Sequence, residues 1–142
     1  MEPKTSMLMK TYFYKCHKCG NVMLRVSGGH VIPQCCNETM EQLKPGTSDG
    51  NLDYHVPVVS ILHNGIVKVS IGHKAHPMTP EHYIEFIFLK TEHGGMIAYL
   101  KPDEPPCAVF QTLDQPVAAY AYCNLHSLWK LCLVKCPSDR ID

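Results

Sequence analysis

The sequence predicts a mainly β protein in two parts: a small cysteine-rich segment that needs a metal to hold it together, followed by an antiparallel β-sandwich of immunoglobulin-like size. Three observations predict this architecture. Four cysteines lie in two close pairs, CHKCG and CC, within the first 44 residues. The rest of the chain contains about seven short apolar runs separated by turn residues. No apolar run with a 3.6-residue period is long enough for a sizeable helix.

Length and composition exclude several classes of function. A chain of 142 residues holds one ordinary domain, or a small domain plus one of about 100 residues. Its 13 basic side chains offset 13 acidic ones without a Lys/Arg block, so nucleic acid is not an expected partner. The charged N-terminus does not resemble a secretory signal, and no apolar run reaches the roughly 18 residues of a membrane span. We therefore expect a soluble, intracellular protein with no membrane partner.

Residues 1–44 are predicted to form the first domain. They are rich in turn residues and poor in apolar ones, so burial alone should not fold them. Without a secretory signal, cysteines at close spacing are more often metal ligands than disulfides. Cys16, Cys19, Cys35 and Cys36 supply four thiolates that suit zinc or a single iron, and the spacing does not choose between these metals. Disulfides, or small buried thiols, are the alternatives.

Residues 45–51, PGTSDGN, are predicted to be a linker, and residues 52–142 the sandwich domain. Val67, Val69 and Ile71 alternate with polar residues after HNG, which is a hairpin signal. The run 84–88 places Ile84, Phe86 and Phe88 on one parity and therefore predicts that they share one face. Further turns at EHGG, PDEPP and DQP precede VAAYAYC and LWKLCLV, which complete the count of seven strands.

A second set of metal-ligand residues lies within the predicted sandwich. His76 and His82 flank two prolines in HPMTPEH, which force an irregular loop in which the rings can converge. Cys123 and His126 form a C-x-x-H pair, and His55 precedes a strand. A lone histidine is more often a surface or core residue than a ligand. Together, however, four imidazoles and one thiolate suit iron(II) and leave one octahedral position open for a reactant.

At this point the sequence resembles a known family, desulfoferrodoxin, the two-iron class of superoxide reductases. The resemblance covers most of the chain, from about Tyr14 to Lys130. It depends on CHKCGNVMLRVSGG with the later CC, HVPV, HPMTPEHYIEFI, YLKPDEPPCAVF and YCNLHSLWK, in the family's order and close to its spacing.

The resemblance implies a desulforedoxin-like, rubredoxin-related N-terminal domain whose four cysteines hold one iron, with zinc as a possible substitute. It also implies a second iron bound by His55, His76, His82 and His126 in a plane, with Cys123 axial. Such proteins reduce superoxide to hydrogen peroxide and are re-reduced by an external donor such as rubredoxin. They are typically cytoplasmic homodimers.

One departure from the family's pattern concerns residues before the first histidine. The family typically has Glu-Lys there, and the resemblance implies that the lysine attracts superoxide and orders a proton-delivering water. Here the pair is Asp53 and Tyr54, which keeps an acid on a shorter arm and supplies no cation. Lys74 is a candidate replacement cation, or else a solvated loop residue. We expect superoxide chemistry with slower capture and weaker salt dependence.

The remaining cysteines, Cys107, Cys132 and Cys136, are interpreted as free buried thiols, and His73 as the unassigned histidine nearest to the second metal. Two other functions remain open from the residues. One is a non-catalytic electron-transfer or redox-sensing protein of the same architecture. The other is a zinc-stabilised binding module.

Overall fold

The computed structural model describes residues 10–48 and 50–134. These contain twelve β-strands, one short α-helix and a 3-10 turn at His63–Gly65. The strands are β1 Phe13–Lys15, β2 Val22–Leu24, β3 Gln34–Cys35, β4 Glu38–Thr39, β5 Glu41–Leu43, β6 Pro57–Ile61, β7 Ile66–Ile71, β8 Ile84–Thr91, β9 Gly95–Tyr99, β10 Cys107–Gln111, β11 Pro116–Cys123 and β12 Ser127–Cys132; helix α1 is Leu52–His55.

The N-terminal part is a three-stranded antiparallel sheet in the order β2-β1-β5, beside the two-residue ladder of β3 and β4. The turn between β3 and β4 has left-handed backbone at Cys36 (φ 54°) and Asn37 (φ 61°). Side chains of adjacent residues normally diverge, so this turn provides the bend that an adjacent cysteine pair needs in order to converge.

The predicted seven-stranded sandwich is confirmed. Strands β6 to β12 form two antiparallel sheets, in the orders β10-β7-β6 and β12-β11-β8-β9. The HNG hairpin joins β6 to β7 with left-handed backbone at Asn64 (φ 59°) and Gly65 (φ 73°), as expected for a tight turn. Apolar side chains of both sheets fill the core: Val67, Val69, Ile71, Ile84, Ile87, Leu89, Phe110, Ala119, Ala121 and Cys123.

A β-bulge in β8 corrects the prediction that Ile84, Phe86 and Phe88 share one face. Cys123 pairs with Ile84 while the preceding Tyr122 pairs with Phe86, which leaves Glu85 as an extra residue. The extra residue shifts the side-chain alternation, so Ile84 belongs to the sandwich core and Phe86 to a second core on the outer face.

The second core joins the N-terminal sheet to the sandwich. Phe13 of β1 lies with its ring centroid 5.9 Å from those of Phe86 and Phe88 and 5.4 Å from that of Tyr120. Leu43 of β5 is buried in the same cluster. The cysteine-rich segment therefore does not depend on metal alone, because it also buries aromatic surface against the sandwich.

The segment predicted to be a linker lies along β12. Gly46 N–H donates to the Leu128 carbonyl at 2.9 Å, and Ser48 Oγ donates to the His126 carbonyl at 2.5 Å. A Cβ on Gly50 would lie 2.9 Å from His126 Cβ. Placing the domain boundaries at 1–44, 45–51 and 52–142 remains a prediction. In the part of the chain that the structure describes, no helix combines the length and apolar character needed to cross a bilayer.

Candidate metal centres

The first candidate centre is formed by Cys16, Cys19, Cys35 and Cys36, whose four Sγ atoms all lie within 4.8 Å of one another. Cys16 follows β1 and is buried, whereas Cys19 and Cys36 are exposed. The Sγ atoms of Cys19 and Cys35 are 3.6 Å apart, and those of Cys35 and Cys36 are 4.0 Å apart. The structure thus brings all four predicted ligands to one point.

The electrostatics of this cluster favour a bound cation. Backbone N–H groups, chiefly that of Cys19, lower the pKa of Cys16 to about 7. Hydrogen bonds with the sulfurs of Cys19 and Cys16 raise the pKa of Cys36 to about 12. The four thiols therefore cannot all ionise near neutral pH unless a cation offsets their charge, which is how metal binding couples to thiolate formation.

The second candidate centre gathers one thiol and four imidazoles. Ligand atoms of His55, His76, His82 and Cys123 all lie within 4.8 Å of one another. The ring centroid of His126 is 4.8 Å from that of His55 and 5.1 Å from that of His82. Its Nδ1 lies 3.8 Å from Cys123 Sγ. All five predicted residues therefore meet, although they come from α1, the 72–83 loop, the end of β11 and the turn that follows it.

Backbone carbonyls set which ring nitrogen faces this centre. Nδ1–H of His55 donates to the Asn51 carbonyl and Nδ1–H of His76 to the Pro77 carbonyl, each at 2.6 Å. Both rings therefore present Nε2 inward, with these two nitrogens 3.1 Å apart. His82 Nε2 is buried and has no hydrogen-bond partner within the described residues. Buried imidazole nitrogens directed at one another without donors between them fit a metal ion.

Burial keeps three of the imidazoles in the neutral form that a metal selects. Desolvation lowers the pKa values of His55, His76 and His82, that of His76 to about 4. Neutral imidazole is the ligating form. Burial also raises the pKa of Cys123, while backbone N–H groups of Leu125 and His126 act in the opposite direction. The N–H groups of Leu125 and His126 therefore point at the Cys123 sulfur.

Two residues that sequence reasoning did not single out support His55. Asn51 caps α1 by accepting the Asp53 N–H at 2.8 Å, and its carbonyl receives the His55 ring proton. Trp129 stacks on His55 at a centroid distance of 4.7 Å and donates Nε1–H to the His126 carbonyl at 2.9 Å. An asparagine before LDYH is a readable capping signal. Nothing local in the sequence indicates that Trp129 contacts both histidines.

Asn124 joins the His82 segment to the Cys123–His126 turn. Its Oδ1 accepts the Tyr83 N–H at 2.9 Å, and its Nδ2 donates to the Glu81 carbonyl at 3.0 Å. Its own N–H donates to the Tyr83 carbonyl at 3.1 Å. These three hydrogen bonds therefore attach the residues immediately before and after His82 to the Cys123–His126 turn.

The three residues predicted to act on superoxide lie on two neighbouring segments, α1 and the 72–83 loop. Asp53 is exposed and Tyr54 half-buried on α1, and the exposed Lys74 donates its backbone N–H to the Asp53 carbonyl at 3.0 Å. The loop approaches the helix closely at Gly72 (φ +89°), where an added Cβ would lie 2.7 Å from the Tyr54 carbonyl oxygen. His73, on the same loop, is exposed.

The leftover cysteines differ from their predicted burial. Cys107 is half-buried on β10, and Cys132 is exposed at the end of β12, so the interpretation of Cys132 as a buried thiol is wrong. Cys136 lies outside the described residues.

A third group, Glu92, His93 and Asp114, also brings possible ligand atoms within 4.8 Å. Here the charges are paired with each other: His93 Nδ1 lies 2.9 Å from Asp114 Oδ1, and His93 Nε2 lies 3.5 Å from Glu92 Oε1. The hydrogen bond to Asp114 raises the pKa of His93. We interpret this group as an exposed ion-pair cluster that closes the β8–β9 turn onto the 112–115 loop.

Comparison with known proteins agrees with this pair of centres. The family model described as Desulfoferrodoxin matches residues 47–132. The desulfoferrodoxin of Nitratidesulfovibrio vulgaris is 44% identical over 119 residues, covering 82% of this chain and 92% of that protein. That of Desulfarculus baarsii is 39% identical over 117 residues, covering 82% and 92%. The crystal structure of the superoxide reductase from Treponema pallidum matches with a TM-score of 0.71 and 34% identity, covering 87% of this chain and 99% of that one. The chain belongs to the desulfoferrodoxin family.

Proposed function

We propose that this chain is a superoxide reductase, an oxidoreductase that converts superoxide to hydrogen peroxide at its second metal centre. The observation that carries this function is the convergence of four imidazoles and one thiol around the buried, unpartnered Nε2 of His82. The family relatives and the superoxide reductase of Treponema pallidum support it.

Reduction of superoxide to hydrogen peroxide consumes one electron and two protons and releases no dioxygen. His55, His76, His82, Cys123 and His126 would hold a ferrous ion, which would supply that electron and a Lewis-acidic position for the anion. Burial keeps His55, His76 and His82 neutral. Backbone carbonyls hold the rings of His55 and His76. Backbone N–H groups of Leu125 and His126 draw charge from the Cys123 sulfur and so tune the centre.

We assign substrate capture to the rim formed by Asp53, Tyr54 and Lys74. The backbone contact between Lys74 and Asp53 supports this assignment, because it brings a cationic residue beside the pair that replaces the family's Glu-Lys. A cation near a small-anion site raises the capture rate, and salt screens the effect. Tyr54 contributes a hydroxyl that donates a hydrogen bond, and solvent supplies the protons.

Tyr54→Lys tests this assignment. We expect faster superoxide capture at low ionic strength and a steeper fall of the rate with salt, because a cation is added at the rim. Gln111→Lys is the matched control, since it adds the same charge on an exposed residue at the far end of β10. Equal rates and equal salt dependence in both variants would refute the steering role.

The remaining assignments are also proposals. The first centre binds a second iron, and zinc is a possible substitute there because both metals accept four thiolates. The electron consumed in each turnover comes from an external one-electron donor, such as rubredoxin. We propose that the protein acts as a homodimer in the cytoplasm.

The decisive experiment is a superoxide pulse on reduced, iron-loaded protein, with peroxide and dioxygen counted and the visible spectrum followed. One peroxide per reduced second centre, no dioxygen and rapid spectral oxidation are expected. Protein with zinc at the second centre is the control, since zinc does not change oxidation state. Dioxygen evolution, or no spectral change on mixing, would contradict the proposed function.

A further inference from the structure

His126 is held in a different way from two of the other histidines of the second centre. The rings of His55 and His76 are oriented by hydrogen bonds from Nδ1–H to backbone carbonyls. In His126 the same ring nitrogen faces the Cys123 sulfur instead, at 3.8 Å. A carbonyl therefore does not orient this ring through Nδ1, and the position of the ring depends on what holds the His126 backbone.

The backbone that leaves His126 is fixed by two side chains. Ser127, the next residue, has left-handed backbone (φ 64°), a conformation that persists in residues with a side chain where their surroundings enforce it. The His126 carbonyl accepts Nε1–H of the buried Trp129 at 2.9 Å. It also accepts Oγ–H of Ser48 at 2.5 Å. A carbonyl oxygen has two lone pairs, so both donors are accommodated.

Ser48 reaches this carbonyl across 78 positions of chain because the segment around it is anchored on both sides. Before it, Gly46 N–H donates to the Leu128 carbonyl at 2.9 Å. After it, Gly50 lies so close to His126 that an added Cβ would be 2.9 Å from His126 Cβ. A serine side chain is short, so its hydroxyl meets the carbonyl where the backbone of the segment places it. The half-buried Ser48 is therefore a fixed donor.

The neighbouring hydroxyl of the same segment has a different role. Thr47 is exposed, and its Oγ1 donates to the Lys44 carbonyl at 2.7 Å, three residues earlier in the chain. This bond closes a local turn, whereas the bond of Ser48 connects the segment to a predicted metal ligand. At its other end the segment contacts a second ligand, because the Asn51 carbonyl accepts the His55 ring proton.

We propose that Ser48 is a positioning residue of the second centre: its hydroxyl, together with the indole N–H of Trp129, fixes the His126 carbonyl and so holds the His126 imidazole against the metal. The 45–51 segment, predicted to be a linker, is then a structural part of that centre. This inference rests on the proposed function in one respect, because it requires a metal at the second centre. Ser48 acts through His126, and hydrogen bonds of this kind set ligand orientation and metal affinity.

The test compares three substitutions in full-length protein. Ser48→Ala removes the donor, and Ser48→Thr restores a hydroxyl at the same position. Thr47→Ala is the matched control, since it removes the adjacent hydroxyl and a bond that stays within the segment. Zinc(II) is the probe metal: its affinity is measured by competition with a chromophoric chelator, with occupancy of the two centres followed separately. NMR of the histidine rings in the zinc-loaded protein then shows which ligand is affected.

We expect Ser48→Ala to bind zinc at the second centre about tenfold more weakly, at the low end of the range typical of residues that orient metal ligands, because Trp129 still donates to the same carbonyl. The ring signals of His126 should shift more than those of His55, His76 and His82. Ser48→Thr should recover most of the affinity and the signals, and Thr47→Ala should change neither.

Four results would overturn the proposal. They are unchanged zinc affinity in Ser48→Ala, an equal loss in Thr47→Ala, an equal loss at the four-cysteine centre, and a loss of affinity without a change in the His126 ring signals. The first shows that the hydroxyl does not matter to the centre, and the second and third show an effect on the fold in general. The fourth shows that Ser48 acts on another ligand.

A superoxide pulse on the reduced, iron-loaded parent protein separates this inference from the proposed function. Absence of peroxide from the parent contradicts the proposed function. The zinc measurements involve no turnover, so they still decide the role of Ser48. Conversely, peroxide formation by the parent together with unchanged zinc binding in Ser48→Ala overturns the positioning role alone.

Discussion

Removing the side chain of Asn124 should weaken metal binding at the second centre without affecting the first. Asn124→Ala deletes the bonds from Tyr83 N–H to Oδ1 and from Nδ2 to the Glu81 carbonyl, and it keeps the backbone N–H. A net contribution of about 1 kcal/mol for each bond gives a loss of about 2 kcal/mol. That loss corresponds to about a 30-fold change in a binding constant, within the range of roughly 10- to 100-fold typical of residues that orient metal ligands.

The assay is competition for iron(II) or zinc between the protein and a chromophoric chelator, with occupancy of the two centres followed separately. The four-cysteine centre is an internal control, because Asn124 lies on the β11–β12 turn of the sandwich. Gln111→Ala is an external control that removes an exposed side-chain bond of 3.4 Å to the Asn64 carbonyl. If affinity falls equally at both centres, the effect is global destabilisation. If the second centre keeps its affinity, Asn124 does not position His82.

Three further predictions concern stability and titration. Gly72→Ala should lower the thermal unfolding midpoint more than Gly28→Ala does. Both glycines have positive φ, so both substitutions strain the backbone. Only at Gly72 would the added Cβ also clash with backbone oxygens, because the space around Gly28 is open. Phe13→Ala should reduce the free energy of unfolding, measured in urea, by about 3 kcal/mol, because it removes the central ring of the aromatic cluster. Phe13→Leu should reduce it by less than half of that, because leucine still fills part of the space. Equal losses in the two variants would contradict the role of Phe13 in packing the second core. The pKa of His93, measured by NMR, should lie above its ordinary value and fall in Asp114→Asn. Because the folded pKa is raised, the stability contributed by this pair is present below the unfolded pKa of histidine and is lost as pH rises through the folded pKa; an unchanged His93 pKa in the variant would contradict this.

The two ligand sets were predictable from the sequence because their signals are local. C-x-x-C, C-C and C-x-x-H place thiols and imidazoles a few residues apart, and the prolines of HPMTPEH exclude a regular strand whatever the rest of the chain does. The seven strands were predictable for the same reason, since Gly, Pro and Asn restrict the backbone where they stand. The HNG hairpin has the left-handed residues that its sequence requires.

The residues that support the ligands were not predictable in this way. Trp129 contacts His55 across 74 positions of chain, and Gly50 is a glycine because a Cβ there would touch His126 and Trp129. Such contacts depend on how β12 lies against α1 and the 45–51 segment. No pattern in either stretch specifies that placement.

The sequence by itself therefore determined the ligand types of the two centres, the number of sandwich strands and the departure at Asp53 and Tyr54. Only the tertiary structure decided that a bulge at Glu85 places Ile84 in the sandwich core, and that carbonyls of Asn51 and Pro77 turn Nε2 of two histidines inward. The physical reason is the separation along the chain between the residues that interact. Backbone preference and ligand type are properties of neighbouring residues, whereas register and ring orientation arise when segments distant in the chain pack together.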